Sequence, residues 1–370
     1  MAGELLGVPV LPPARVTRAM VRFRAALAGG HRRLALPPVL ILEGLFGLMD
    51  NRVLGLLVEL DLPELLDRSR SLGDLAEATE TDPDRLERLL RYAVIRGFIR
   101  LDRRGRYAPN AVSRMLRRDH PGSFRGWVEF AGSPWFWDSW RHLKPALSRD
   151  GPAGIEAATG HPFFEYVNDI DPAAGAAFNA AMEAGGRLQA LGLTAALDWN
   201  GIDSVCDVGG GTGATLTLLL TEHPHLKGVL FDLPQVIAQV QPALRDGPLA
   251  TRCRREGGDF FTAVPRGCDR YLMLTIIHDW ADESARRILR VVGEELAPDA
   301  RIIVVESVLP DTPRDEFVVA SDLLMLALAS GRERTNAQFH ALFKASGLSV
   351  SRCTLLATGS TAFELARSSS

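Results

Sequence analysis

Beyond Asn200 the chain changes its hydrophobic period, and that change limits the folds open to it more than any other feature. SVCDVGGG, GVLFDLP, CDRYLMLTII and ARIIVVES are short, nearly continuous apolar runs, and helical patterns separate them. Such an alternation of apolar strands and helices predicts a doubly wound parallel sheet. In a sheet of this kind ligands bind outside the carboxyl ends of the strands, so those ends are where chemistry is expected. One end stands out. YLMLTII, read as a strand over 271–277, runs straight into His278-Asp279-Trp280.

The first half reads as helical. Residues 1–38 contain Pro9, Pro12, Pro13, Pro37 and Pro38, which predicts a loosely held arm with one short helix. From Val53, VLGLLVELDLPELLD has helical apolar spacing and SLGDLAEAT predicts a short capped helix. TDPDRLERLLRYAVIRG opens with Asp82 at the N-cap and Pro83 at the first helical position. FIRLDRRGRYAPN then alternates as two short strands about a turn, which completes the order of a winged-helix module. Residues 113–195 predict further helices, with loops at SRDGPAG and TGHP and a cluster of Trp127, Trp135, Trp137 and Trp140. The expected division is a helical N-terminal domain, 1–195, and a C-terminal α/β domain, 196–370.

Composition removes several classes of function. With 42 Lys+Arg against 45 Asp+Glu the formal charge is -3, which gives no global reason for a nucleic-acid or membrane partner. Locally, Arg85, Arg88, Arg91, Arg96, Arg100, Arg103, Arg104 and Arg106 stand against Asp82, Asp84, Glu87 and Asp102, as a DNA-reading helix and wing would show. Such modules recur on unrelated functions, so no nucleic-acid partner is expected. Cys206, Cys253, Cys268 and Cys353 form no CxxC pair, which argues against a disulfide framework and a structural zinc site. No apolar run reaches the ~20 residues of a membrane span. The N-terminus lacks an apolar segment with a cleavage site, so a cytoplasmic location is expected.

VCDVGGGTG, residues 205–213, is a strand entering a glycine turn ahead of ATLTLLLTEH. Glycines let the backbone approach a ligand closely, and the helix N-terminus beyond offers unpaired N–H groups. Two ligands suit the pattern. Gly209, Gly211 and Ala214 satisfy the G-x-G-x-x-G/A dinucleotide fingerprint, with Asp232 about 20 residues on, where a ribose-binding acid belongs. Read as Asp207-x-Gly209-x-Gly211-x-Gly213, the same residues resemble the first motif of class I S-adenosylmethionine-dependent methyltransferases. GGDFF favours the second reading, because it puts Asp259 beyond the third strand to meet an adenine edge, with Phe260 available to pack on the ring.

With these blocks in place the chain resembles the bacterial and plant small-molecule O-methyltransferases, the family that includes caffeic acid, hydroxyneurosporene and polyketide-antibiotic O-methyltransferases. DVGGGTG, FDLP, GGDFF and HDW occur in the family's order. GRERTNAQFHALFKASGL resembles its closing block, and the winged-helix segment resembles its N-terminal dimerisation module. The resemblance implies a homodimer that takes S-adenosylmethionine, with Asp207, Gly209 and Gly211 around the methionine side, Asp232 on the ribose, and Asp259 and Phe260 at the adenine. It implies that His278 is the general base, oriented by Glu306 and Glu333. It also implies an acceptor cavity lined by Phe163, Phe164, Phe178 and Met182, with Asp279 beside it, and no metal. One departure is visible: several relatives carry a basic residue ahead of the apolar pair before the histidine, where this chain has Leu274-Thr275.

The residue types suit methyl transfer, an in-line displacement in which the protein supplies alignment and removes a proton. A phenol, with a pKa near ~10, is mostly neutral at neutral pH, and an imidazole is a suitable acceptor for its proton. Carboxylates behind the ring would fix its tautomer and stabilise the imidazolium as it forms. The expected function is therefore methylation of a phenolic hydroxyl on a small aromatic or polyketide-like metabolite. One alternative is a relative that keeps the cofactor but hydroxylates or decarboxylates, which retention of His278, Glu306 and Glu333 argues against; the other is a winged-helix DNA-binding regulator. His223-x-His225 resembles a metal pair without a third ligand and reads as surface-loop histidines. LPPVLILEGLFGLM is too apolar to face water, which also predicts a homodimer.

Overall fold

The computed structural model describes residues 11–312 and 316–368. Its N-terminal part is more helical than the prolines suggest. A 21-residue helix, Ala14–Leu34, follows Pro13, and a 23-residue helix, Pro37–Glu59, starts on Pro37 and Pro38. The expectation of a loose arm with one short helix is thus corrected over 14–38, while residues 1–10 lie outside the described residues. The reason is positional. Proline at a helix start loses no hydrogen bond and already holds the helical φ, so these prolines begin helices.

Among the described residues, neither helix finds enough to cover it. Ala14–Leu34 buries no residue, and Phe23, Leu34, Ile41, Leu45, Phe46 and Leu48 are exposed. Only the last turns of Pro37–Glu59, through Val53, Leu57 and Val58, enter a core. Apolar surface of this extent marks an interface, and a second copy of the chain is the expected partner. Light scattering at micromolar concentration should find a dimer, and glutamate at both Ile41 and Leu45 should convert it to monomer. A monomeric wild-type chain would leave these faces without a partner and overturn the expectation.

The winged-helix elements form for local reasons. Ser71 Oγ accepts from Asp74 N at 3.2 Å while Asp74 Oδ2 accepts from Ser71 N at 3.1 Å, a reciprocal cap on Leu72–Ala78. Asp82 Oδ1 accepts from Arg85 N at 3.0 Å and starts Pro83–Ile95. Strands β1 (Arg100–Leu101) and β2 (Tyr107–Ala108) make the wing. Arg91 pairs with Glu87, Arg96 with Asp50 and Arg106 with Asp74, so part of the positive charge counted in the sequence is met within the module.

The next layer is built from Arg125–Gly132, Pro134–Arg141, Gly154–Thr159 and the 25-residue helix Pro172–Ala196, which Asp171 caps through the amides of Ala173 and Ala174. Its core holds Phe130, Trp135, Phe136 and Phe163, with Trp127 and Trp140 packed against it. Ala327 and Leu328 of the helix Glu316–Leu328 complete the same core. Pro172–Ala196 packs on both Arg125–Gly132 and Ala214–Glu222 and so joins this layer to the sheet.

The sheet has seven strands. Five are parallel: β3 (Ser204–Val208), β4 (Lys227–Asp232), β5 (Cys253–Gly257), β6 (Arg270–Leu274) and β7 (Arg301–Glu306). Two short strands, β8 (Val308–Leu309) and β9 (Arg334–Thr335), pair beside it. An antiparallel hairpin, β10 (Leu348–Leu355) and β11 (Thr361–Arg367), covers the β7 edge, giving the order β10-β11-β7-β6-β3-β4-β5. The sheet is therefore mixed, with a parallel core. Alternate residues explain the continuous apolar runs: Cys206, Tyr271 and Ile302 pack on one face, Val205, Leu272 and Ile303 on the other. The chain leaves β3 towards β4 and later returns to β6 on its other side, so a crevice opens at the carboxyl ends of β3 and β6.

Candidate active site

The glycine loop lies on one side of that crevice. Gly209, Gly211 and Gly213 have φ of +70°, +59° and +93°, which side chains rarely tolerate. A Cβ at Gly209 would meet Ile276 Cδ1 at 2.7 Å, and one at Gly210 would meet the Asp207 carboxylate at 2.7 Å. Asp207 is thus packed beneath the loop, where burial first, and then the charge of Asp232, push its carboxyl up to about 7. Asp232 closes β4. Its Oδ2 accepts from Gly211 N and its Oδ1 from Leu233 N, both at 2.7 Å. Each oxygen keeps a second lone pair that a ribose hydroxyl could use. Asp259 follows β5 and is exposed, its Oδ1 accepting from Phe261 N at 2.8 Å. Phe260 reaches back to within 3.6 Å of where a Gly209 Cβ would stand. A backbone bare of side chains, an acid at a strand tip and an aromatic edge fit an adenosyl group.

His278 lies on the other side, and not at a strand end as the sequence suggests. β6 stops at Leu274. Thr275 takes φ +53°, its N–H donates to the Val305 carbonyl at 2.9 Å and its hydroxyl to the Leu274 carbonyl at 2.7 Å. The chain then makes a single 3₁₀ turn, Ile277–Asp279. The cause is Glu306, the last residue of β7 and 0% exposed, whose Oε1 accepts from Ile277 N at 2.7 Å and His278 N at 3.3 Å. The turn brings together residues far apart in sequence. His278 Nδ1 is 3.1 Å from Glu333 Oε1 and 3.7 Å from Glu306 Oε2, while Nε2 is 3.5 Å from Asp279 Oδ1. Glu333 Oε1 also accepts from the Ser321 hydroxyl at 2.7 Å, and Glu333 N donates to Asp322 Oδ1 at 2.9 Å.

Burial alone would pull the His278 pKa down, but Glu306, Asp279 and Glu333 outweigh it and push it up to about 10. Burial likewise raises Glu306 to about 7 and Asp279 to about 6, against the pull of the imidazole. Donor atoms of His278, Glu306 and Glu333 lie within 4.8 Å of one another, a set able to hold a cation. Hydrogen bonds already engage Nδ1 and one oxygen of each glutamate.

Trp280 connects the two sides. Its ring stacks on Phe164 at 5.1 Å and 18°, and meets Phe261 at 4.8 Å and Phe260 at 6.0 Å edge-on. Phe178 packs edge-on to Phe163 at 5.0 Å and Phe164 at 6.1 Å, and Met182 joins the same cluster. His223 and His225 sit apart from this group, with His225 Nε2 3.1 Å from the Trp199 carbonyl. Sequence reasoning did not single out Ser321 or Asp322, and it took Arg334 only as part of the Glu-Arg-Thr core of the closing block, without a role. Their signals were a polar pair inside the apolar run VVASDLLM and a cation flanking the glutamate in RERT.

Comparison with known proteins adds to this geometry. Residues 140–349 match the O-methyltransferase domain, and residues 42–119 match the O-methyltransferase dimerisation domain. A mitomycin biosynthesis 6-O-methyltransferase of Streptomyces lavendulae is 35% identical over 308 residues, 83% of this chain and 87% of the relative. The structure of the mitomycin 7-O-methyltransferase MmcR has a TM-score of 0.80 at 33% identity, covering 93% of this chain and 100% of its own. NcsB1, an O-methyltransferase from neocarzinostatin biosynthesis solved with S-adenosylmethionine and 2-hydroxy-5-methyl naphthoic acid, has a TM-score of 0.71 at 28% identity, covering 86% and 96%. Both matched domains occur here in sequence order and the likeness runs through nearly the whole fold, so the chain belongs to the S-adenosylmethionine-dependent O-methyltransferases of small-molecule, secondary metabolism.

Proposed function

We propose that the chain methylates a phenolic hydroxyl of a small aromatic or polyketide-like metabolite, with His278 as the general base. The observation that carries this reading is an imidazole held through Nδ1, 3.1 Å from Glu333, two residues before the Trp280 indole that stacks on Phe164. Bound S-adenosylmethionine supplies an already activated methyl group, and Gly209, Gly211, Asp232, Asp259 and Phe260 would hold it above the buried Asp207. The chain's own part is alignment and proton removal. With Nδ1–H donated to Glu333, Nε2 of the neutral ring, 3.5 Å from Asp279 Oδ1, is the atom that takes the acceptor's proton. The bond to hydrogen breaks at the phenol oxygen and forms at Nε2, and Glu306 and Glu333 stabilise the imidazolium that results.

The acidities favour a phenol. A phenol near ~10 and a ring raised to about 10 are matched in acidity, so the proton passes between them almost without cost, and the neutral ring that accepts it becomes more populated as pH rises. Phe164, Phe178, Met182 and Trp280 offer an apolar, largely aromatic wall for a flat acceptor. NcsB1, with a hydroxylated naphthoic acid bound, is a precedent for this acceptor class. Asp279, beside Nε2, stands where a second polar group of the acceptor would be met.

The test is turnover of a panel of phenols and naphthols with the methyl donor, read by mass spectrometry as methyl ether and S-adenosylhomocysteine. Ethers should form, and EDTA should leave the rate unchanged. Methylation confined to amines or carbon would refute the phenolic reading.

A further inference from the structure

The turn that carries His278 is held from two directions, and the glutamates account for only one. Its amides point to Glu306, whereas its carbonyls point to the strip 331–334. Arg332 N donates to the His278 carbonyl at 2.8 Å. The Arg334 guanidinium donates through Nη1 to the Ile277 carbonyl at 2.9 Å and through Nη2 to the Trp280 carbonyl at 2.7 Å. Its Nε and Nη2 meet Asp282 Oδ1 at 3.0 and 2.8 Å, and Nη1 lies 3.4 Å from the Arg332 carbonyl. The Arg334 side chain is 1% exposed, that of Asp282 54%. A Cβ on Gly331 would collide with the His278 carbonyl oxygen, so the strip lies directly against the turn.

A single 3₁₀ turn has little to hold it by itself. Here its internal bonds are long, Asp279 N to the Ile276 carbonyl at 3.3 Å and Trp280 N to the Ile277 carbonyl at 3.4 Å. Its shape is therefore imposed from outside. Burying a cation is costly unless its donors are met, and this guanidinium spends them on both sides of one residue. A planar fork reaches two carbonyls and a carboxylate from three separate nitrogens in a fixed plane, whereas an ammonium would have to meet all three from one point.

We propose that Arg334 is a positioning residue for methyl transfer: by clamping the Ile277 and Trp280 carbonyls on either side of His278, it sets where Nε2 meets the acceptor hydroxyl. Glu333 fixes the ring, and Arg334 fixes the backbone beneath it, while the Trp280 indole is held separately by Phe164, Phe260 and Phe261. The inference rests on His278 being the base.

Arg334→Lys keeps the charge and removes the fork. The variant should remain a folded dimer and bind S-adenosylhomocysteine, by calorimetry, as the wild type does. Its KM for the acceptor should hold while kcat falls on the order of 10²-fold, the scale of a base misplaced by about 1 Å. In a His278→Ala background the same substitution should change turnover by less than about threefold, because there is no base left to misplace. Wild-type kcat in Arg334→Lys would overturn the proposal. So would an equal loss in both backgrounds, or a loss of S-adenosylhomocysteine affinity in step with kcat. A fully active His278→Ala would instead sink the base assignment itself, however Arg334→Lys behaves. Should Arg334→Lys fail to fold, Asp282→Asn loosens the same guanidinium from an exposed position. It should give a smaller kcat loss that likewise vanishes with His278→Ala, and an unchanged kcat would count against the clamp.

Discussion

His278→Ala should turn over a phenolic acceptor roughly 10²–10⁴-fold more slowly than the wild type at neutral pH while binding S-adenosylhomocysteine with nearly unchanged affinity. The ring's partners are Glu306, Glu333 and Asp279, none of them in the glycine cleft, so its removal leaves the cofactor residues in place. The pH dependence follows from the sign of the shift. Burial pulls the ring's pKa down, but the three carboxylates carry it up to about 10, so the base form grows as pH rises and the wild-type rate should rise with it. In His278→Ala the rate should follow ionisation of the acceptor alone, and, because ring and acceptor titrate together, the gap between the two proteins should close only once pH exceeds the acceptor's own pKa. Glu333→Gln removes one of the charges that raise the ring, so its profile should move to lower pH with a smaller loss of rate. Full activity of His278→Ala at neutral pH would return the histidine to a structural role.

Asp232→Ala should lose about 1.5–3 kcal/mol of affinity for S-adenosylhomocysteine, roughly ten- to a hundredfold in Kd by calorimetry. Two effects act in the same direction. The carboxylate is the group at the β4 tip able to accept from ribose hydroxyls, and it also ties down the amides of Gly211 and Leu233. Without it the loop must be ordered by the ligand, which costs affinity. Asp232→Asn keeps one acceptor oxygen and should fall between the two proteins. Wild-type affinity in Asp232→Ala would remove this residue from the cofactor cleft.

Features set by neighbours in sequence were readable from it. Ser71 and Asp82 announce their helices because a cap is made within three residues, and Asp232 ends its strand where FDLP breaks the apolar run. The end of β6 was not readable. Thr275, Ile276 and Ile277 are all good strand formers, and the turn there is imposed by a carboxylate from β7. The β10–β11 hairpin escaped for a related reason, since its outer strand alternates with exposed polar residues and resembles loop. The grouping of His278, Glu306 and Glu333 rested on family resemblance. No local pattern links positions so far apart, and Arg334 and Ser321 join them only once the fold is closed.

Ala327 and Leu328 complete an aromatic core whose other members come from residues 130–181. The core that backs Phe164, Phe178 and Met182 is thus written in two stretches of sequence separated by the entire parallel sheet. Exchanging residues 125–182 alone between relatives would seat a new aromatic layer on an old helix. A graft meant to transfer acceptor preference has to carry Glu316–Leu328 with it.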